Sequence, residues 1–265
     1  MDFCSIASGS SGNCIFVGTD HTSVLIDAGI SGRKVLDGLR EIDRKPEELD
    51  AILITHEHSD HIKGVGVLAR KYGIPVYTTS GTKQAILSQN MIGKVDESLF
   101  HEISANHSFR IGELGVLPFH VSHDAAEPVA YRFCHEDKAV AVATDLGYYD
   151  DYVVDHLKNL DAVLIESNHD LNMLQVGTYP YYLKRRIMGS RGHLSNENAG
   201  QLLGEILHDG MKAVMLGHLS KENNYEALAL ATVCAEITMG DNPFKAEDFR
   251  IEIARRDVPS ELIAV

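Results

Sequence analysis

Ala51-Ile52-Leu53-Ile54 is a short apolar run that leads directly into Thr55-His56-Glu57-His58-Ser59-Asp60-His61. An apolar run this short, bounded by polar residues, reads as a buried strand. Behind it, three histidines and one aspartate fall within the six residues 56–61. His56 and His58, at i and i+2, can face one ion from an extended or looped backbone. Asp60 and His61 follow at once and can reach a second ion on the other side. Imidazole and carboxylate are preferred ligands of divalent metals, and a solvated loop has no reason to gather so many of them behind an apolar strand.

Outward from this stretch the chain alternates strands and helices. Upstream, Phe3–Ala7, Cys14–Val17 and Ser23–Ile26 read as strands, with Ser8-Gly9-Ser10-Ser11-Gly12-Asn13 as a turn that is either a tight connection or an anion-binding nest. Ser31 is placed to cap a helix through about Leu39, and Pro46 breaks the chain before a second helical turn. Downstream, the pattern predicts a helix from Ile62 to Tyr72, a strand over 74–78, a helix over 80–88, and strands at 99–103, 107–111, 114–120, 129–134 and 138–143. Strands follow at 162–165, 213–216 and 249–253, and helices at 180–187, 196–207 and 222–236. Chemistry-bearing residues recur at strand ends, where α/β folds place their sites. No repeat, linker or low-complexity segment interrupts the 265 residues, which read as one domain, 1–265.

The formal charge is −14, which counts against a broad basic nucleic-acid surface but not against binding at a metal centre. The chain has 14 histidines, the commonest metal-binding side chain. The four cysteines are scattered without a CxxC pair, which fits a reducing cytoplasm better than a disulfide framework. No apolar run approaches the ~20 residues of a membrane span. The first residues lack the basic and apolar regions of a signal peptide. The expected location is therefore cytoplasmic, away from membranes.

His56-x-His58-x-Asp60-His61 resembles the HxHxDH signature of the metallo-β-lactamase superfamily. The resemblance implies a four-layer αββα sandwich, an α/β fold with a dinuclear metal site at one edge of its facing sheets. It also implies the remaining site residues, in the family's order. Asp27 would support the metal loop. His56, His58, His123 and Asp145 would take the first ion. Asp60, His61, His218 and the bridging Asp145 would take the second. Two such ions, about 3.5–4 Å apart, hold a bridging hydroxide that serves as nucleophile. The ligand set suits Zn²⁺ or Mn²⁺, and without a cysteine ligand or a secretory context it argues against β-lactam hydrolysis.

Two further elements resemble the nuclease branches of this superfamily. Glu166, at a strand end, and His193, in Gly192-His193-Leu194-Ser195-Asn196, are similar to a pair in which the histidine protonates the leaving oxygen and the carboxylate orients it. Together with Asp60 they are the expected catalytic residues. Ser195 and Asn196, at a helix start, and Ser220, just past His218, are expected to contact substrate phosphate. Glu166-Ser167-Asn168-His169-Asp170 and His218-Leu219-Ser220-Lys221-Glu222-Asn223-Asn224, with the serine-rich turn, resemble the YycJ or WalJ branch, which implies 5′→3′ exonuclease action on DNA ends. There is no room for a β-CASP insert, and no Gly/Pro-rich arm of the tRNA-processing kind. Two other activities share the ligand set: a glyoxalase II-type thiolester hydrolase and a cyclic phosphodiesterase. A non-catalytic metal-bound regulator would be expected to lack ligands. The Lys184-Arg185-Arg186 cluster reads as a nucleic-acid contact or a solvated helix face. The tyrosines at 148–152 and 179–182 read as a stacking surface for bases or as core.

Overall fold

The computed structural model covers residues 1–265. Its strands form two seven-stranded sheets. The first contains β1 (Asp2–Ala7), β2 (Cys14–Gly18), β3 (Ser23–Ile26), β4 (Ala51–Leu53), β5 (Val76–Thr79) and β6 (Phe100–Ile103), with β14 (Ile263–Ala264) on the outer edge of β1. The second runs β7 (Phe109–Ile111), β8 (Leu114–His120), β9 (Val129–His135), β10 (Lys138–Ala143), β11 (Ala162–Glu166), β12 (Ala213–Gly217) and β13 (Ile251–Ile253). Each sheet is antiparallel at one end and parallel at the other: β3 to β6 pair in parallel, as do β10 to β13.

Side chains alternate across the central strands, and this alternation builds the layers. Val140 and Val142 of β10, Leu164 of β11 and Met215 of β12 meet Ile15, Val17, Val24, Ile26 and Leu53 between the sheets. The intervening Ala141, Ala143, Val163, Ile165, Val214 and Leu216 face outward to α5 (Asp151–Leu157), α8 (Asn196–Ile206) and α9 (Glu226–Met239). On the opposite side, Phe16, Leu25, Ile52 and Ile54 pack under α1 (Gly32–Glu41), α3 (Val65–Tyr72) and α4 (Ser80–Ser88). The order helix, sheet, sheet, helix is the expected αββα sandwich. None of the helices is long and apolar enough to cross a membrane.

Ser31 does cap α1, its hydroxyl accepting from the Lys34 N–H. The predicted helix over 62–72 is instead split into α2 (Ser59–Ile62) and α3. Gly64 breaks it by packing its backbone on the Ala28–Ile30 segment: its N–H donates to Ala28 O, and a Cβ there would lie 2.6 Å from Ile30 O. The helix predicted from Glu222 starts four residues later, because Ser220 Oγ accepts from the Glu222 and Asn223 N–H groups and the Asn224 amide donates to Ser167 O and Asn168 O. Two short helices, α5 and α6 (Leu171–Val176), carry too little periodicity to be foreseen; Asp150 and Asp170 cap them. α7 (Tyr181–Ile187) lies where expected.

Gly29 is the closest approach in this region, since a Cβ there would fall 1.6 Å from Asp60 O. The neighbouring Asn13 N–H donates to that same Asp60 O, so the turn cannot move away freely. We expect Gly29→Ala to lower stability by about 3 kcal/mol or more, beyond the usual range for a crowded core. Urea denaturation monitored by circular dichroism checks this; an unshifted midpoint would show that the turn yields easily.

Candidate metal centre

The strands β1, β3 and β4 of one sheet and β8, β10, β11 and β12 of the other all end at the same edge of the sandwich. Three of the residues just past these ends, Asp27, Asp145 and His218, hold φ values of 60°, 58° and 55°. This left-handed conformation is costly for a side chain bulkier than glycine and tends to persist at functional sites.

All seven expected ligands meet in this cleft. Three groups, His56/His58/His123, His56/His61/Asp145 and Asp60/His61/His218, each bring their donor atoms within 4.8 Å of one another. Several rings have one nitrogen anchored on the side away from the centre. His61 Nδ1 donates to Asp27 Oδ2 at 2.7 Å and His218 Nδ1 to Glu166 Oε1 at 2.7 Å. His123 Nδ1 donates to Gly192 O at 3.0 Å. His56 Nδ1 lies 3.0 Å from Thr55 Oγ1. The other nitrogens face inward: His61 Nε2 is 3.1 Å from Asp145 Oδ2, His218 Nε2 is 3.4 Å from Asp60 Oδ2, and His123 Nε2 is 3.3 Å from His58 Nδ1. Outer partners of this kind fix ring orientation and ligand basicity at metal sites. Of the buried inward atoms, His56 Nε2 has no hydrogen-bond partner and Asp145 Oδ2 has only the His61 ring beside it. Buried polar atoms are rarely left so, and a divalent cation satisfies both. The nitrogen and oxygen donors present therefore fit such ions.

The electrostatics agree. Burial disfavours the charged forms throughout the cleft. For His56, burial and the neighbouring His61 hold the ring well below its ordinary value, neutral and able to ligate. For His218 burial is outweighed by Asp145, Asp60 and Glu166, which push it up to about 10. Burial also fails to neutralise Asp145, because His218 and His61 hold its carboxyl well below the usual carboxylate range. The buried carboxylates thus stay charged and favour cations beside them, protons on the neighbouring rings among them.

Glu166 joins this centre to the predicted acid. Its Oε1 accepts from His218 and also from His193 Nδ1 at 2.8 Å, while Oε2 accepts from the Leu146 and Leu194 N–H groups. Burial works against the His193 cation, but Glu166 outweighs it and raises the ring above its ordinary value. The His193 side chain keeps 19% exposure at the mouth of the cleft.

The expected phosphate contacts are placed differently. The Ser195 hydroxyl caps α8 by accepting from the Asn198 N–H, and the enclosed Asn196 amide is engaged by Ser167 and Asn224. Both side chains are buried, and these bonds brace the Glu166 and His193 loops. Ser220 is nearer the surface, and its oxygen accepts from two backbone N–H groups, which leaves its hydrogen free to donate. The Ser8–Asn13 loop is a tight connection, not an anion nest. Its Gly9, Ser10 and Gly12 N–H groups already donate to Asn13 Oδ1, Leu219 O and Gly9 O.

Three positioning residues escape sequence reasoning. Thr55 donates its N–H and hydroxyl to Asp27 and also touches His56 and His61. Ser8 Oγ accepts the His218 N–H and donates to Asn13 Oδ1, while the Asn13 amide reaches Asp60 O and lies 3.3 Å from His61 Nε2. Their only sequence signal is adjacency to ligands or to a glycine-rich turn.

A family model described as Beta-lactamase superfamily domain matches residues 22–219. Over 236 residues the chain is 47% identical to exodeoxyribonuclease WalJ of Streptococcus pneumoniae, covering 89% of this chain and 88% of that protein. It is 41% identical over 233 residues to exodeoxyribonuclease YycJ of Bacillus anthracis, covering 88% of each. Among solved structures, YhfI from Bacillus subtilis, a metallo-beta-lactamase fold protein, aligns with a TM-score of 0.71 at 17% identity over 98% of both chains. The short form of human tRNase Z aligns with a TM-score of 0.67 at 15% identity over 100% of both. These two attest the fold alone. The chain belongs to the β-lactamase superfamily and, within it, to the YycJ/WalJ-type proteins.

Thr55→Val removes the hydroxyl that ties Asp27, His56 and His61 together with little change of shape. We expect divalent-metal affinity to fall roughly 10- to 100-fold. Competition against a chelator measures it. Unchanged affinity with an intact fold would remove Thr55 from the metal-positioning network.

Proposed function

We propose that this chain is a metal-dependent exodeoxyribonuclease that shortens DNA from its ends in the 5′→3′ direction. The observation that carries this reading is the Glu166 carboxylate, shared by the ligand His218 and the mouth-facing His193. It joins the metal cleft to a positioned proton donor, which a poor leaving group such as a sugar alkoxide requires. The near full-length similarity to proteins named exodeoxyribonucleases supports DNA as substrate.

His56, His58, His123 and Asp145 would hold one ion, and Asp60, His61, His218 and Asp145 a second, with Zn²⁺ or Mn²⁺ as the fitting metals. Bound divalent ions supply an acidified water as nucleophile and positive charge for the phosphoryl oxygens. Asp60 completes the second set and, only partly covered, lies toward the substrate side. Ser220 donates its hydroxyl hydrogen to a phosphate oxygen. His193 gives its Nε2 proton to the departing sugar oxygen as the P–O bond breaks, while Glu166 keeps the ring aligned through Nδ1. Residues Ser195 and Asn196 keep that loop in place.

Metal-stripped protein, resupplied with Mn²⁺ or Zn²⁺ and incubated with end-labelled single- and double-stranded DNA and RNA, tests the reading. Stepwise shortening of DNA from 5′ ends, absent in Asp60→Ala, is expected. Turnover of a small diester or thiolester with no cleavage of any polymer would overturn it. His193→Ala should slow DNA hydrolysis by ~10²–10⁴-fold with metal content unchanged. An undiminished rate would remove His193 as the acid.

A further inference from the structure

The cations of this acidic chain are unevenly placed. From Leu171 to Asn196 the sequence has four cations and no carboxylate, in a chain of net charge −14. This segment contains α6, α7 and the loop to His193. It also has two of the most exposed large side chains of the molecule, Tyr181 and Tyr182, at 75% and 74% exposure. An exposed tyrosine pair is not core, and no other element covers it.

Three of the four cations fasten the segment. Lys184 Nζ donates to Gln175 O and Gly177 O, closing the turn between α6 and α7. Arg186 grips Asp124, the neighbour of ligand His123, with Nε and Nη2. Arg191 donates twice to His123 O at 3.2 Å. The fourth, Arg185, is exposed, with its guanidinium carbon 5.9 Å from the Tyr181 ring centre. At the other end of α7, Ile187 O accepts the His193 N–H at 3.0 Å. The helix is therefore tied at its last residue to the proposed acid, and Tyr181 stands roughly 9 Å along its axis from Ile187.

Resting on the nuclease reading above, we propose that α7 is a binding platform for single-stranded DNA, holding the part of the strand outside the cleft. Bases stack on Tyr181 and Tyr182, and Arg185 takes a backbone phosphate. Stacking accepts every base, so the platform adds affinity without sequence preference. The Arg186–Asp124 and Arg191–His123 contacts set its register against the metal ligands. The commitment to a nucleic-acid strand follows from charge: a carboxylate-free cationic segment beside exposed aromatic rings complements a phosphate backbone with exposed bases.

The test compares hydrolysis of a trinucleotide and of long oligo(dT) by the metal-loaded full chain and by Tyr181→Ala/Tyr182→Ala. For the long strand, KM should rise roughly 5- to 100-fold per lost ring, with a far smaller change in kcat. The preference for long over short strands should collapse. Tyr181→Phe/Tyr182→Phe should retain it, and Arg185→Ala should flatten the salt dependence of KM. A platform for a protein partner, or a purely structural role, would leave the length preference of the alanine variant as in wild type and overturn the proposal. Wild-type protein that degrades no DNA would instead defeat the nuclease reading itself.

Discussion

The buried Asp145 carboxylate is the constraint on which the site depends. It is 2% exposed, and a charge so enclosed must be compensated where it stands. His61 Nε2 lies 3.1 Å from one of its oxygens; His123 Nε2 and His193 Nδ1 lie 3.5 Å and His218 Nδ1 3.7 Å from the other. These rings come from both sheets. His61 and His123 are held from behind by Asp27 and Gly192 O, while His193 and His218 turn the same Nδ1 toward Glu166. The carboxylate thus draws the two halves of the sandwich to one point, and the outer partners prevent the rings from collapsing onto it.

The fold supplies that convergence at low cost. Strands that alternate small and branched residues, as in Ala139-Val140-Ala141-Val142-Ala143, present one face to the facing sheet and the other to helices. Their ends therefore fall on one edge without further design. The left-handed turns at Asp27, Asp145 and His218 then carry the functional side chains just past the last ladder bonds. Strain at these turns is offset by the anchoring of the same residues within the cluster.

The fold and the cluster of nitrogen and oxygen donors were legible in the sequence, the first motif from local signals and the later donors through its resemblance to a known family. A short apolar run before His56-x-His58-x-Asp60-His61 is visible without tertiary information, as are Asp145 and His218 directly after Val140–Ala143 and Ala213–Leu216. Less legible were residues whose role is set by distant partners. Thr55 gains its meaning from Asp27, and Asn13 from Asp60, across gaps that no pattern encodes. Ser195 and Asn196 were read as phosphate contacts because a helix start favours anions; that the first also caps α8 and the second pairs with Asn224 depends on partners the pattern does not encode. The break at Gly64 likewise depends on the opposing Ala28–Ile30 backbone, which periodicity cannot foresee.

Anomalous diffraction from crystals grown with Mn²⁺ or Zn²⁺ tests whether the Asp145 carboxylate is shared by two cation sites. Two peaks flanking Asp145 are expected, one beside His56, His58 and His123 and the other beside Asp60, His61 and His218. A single peak, or ions held without contact to Asp145, would contradict this sharing.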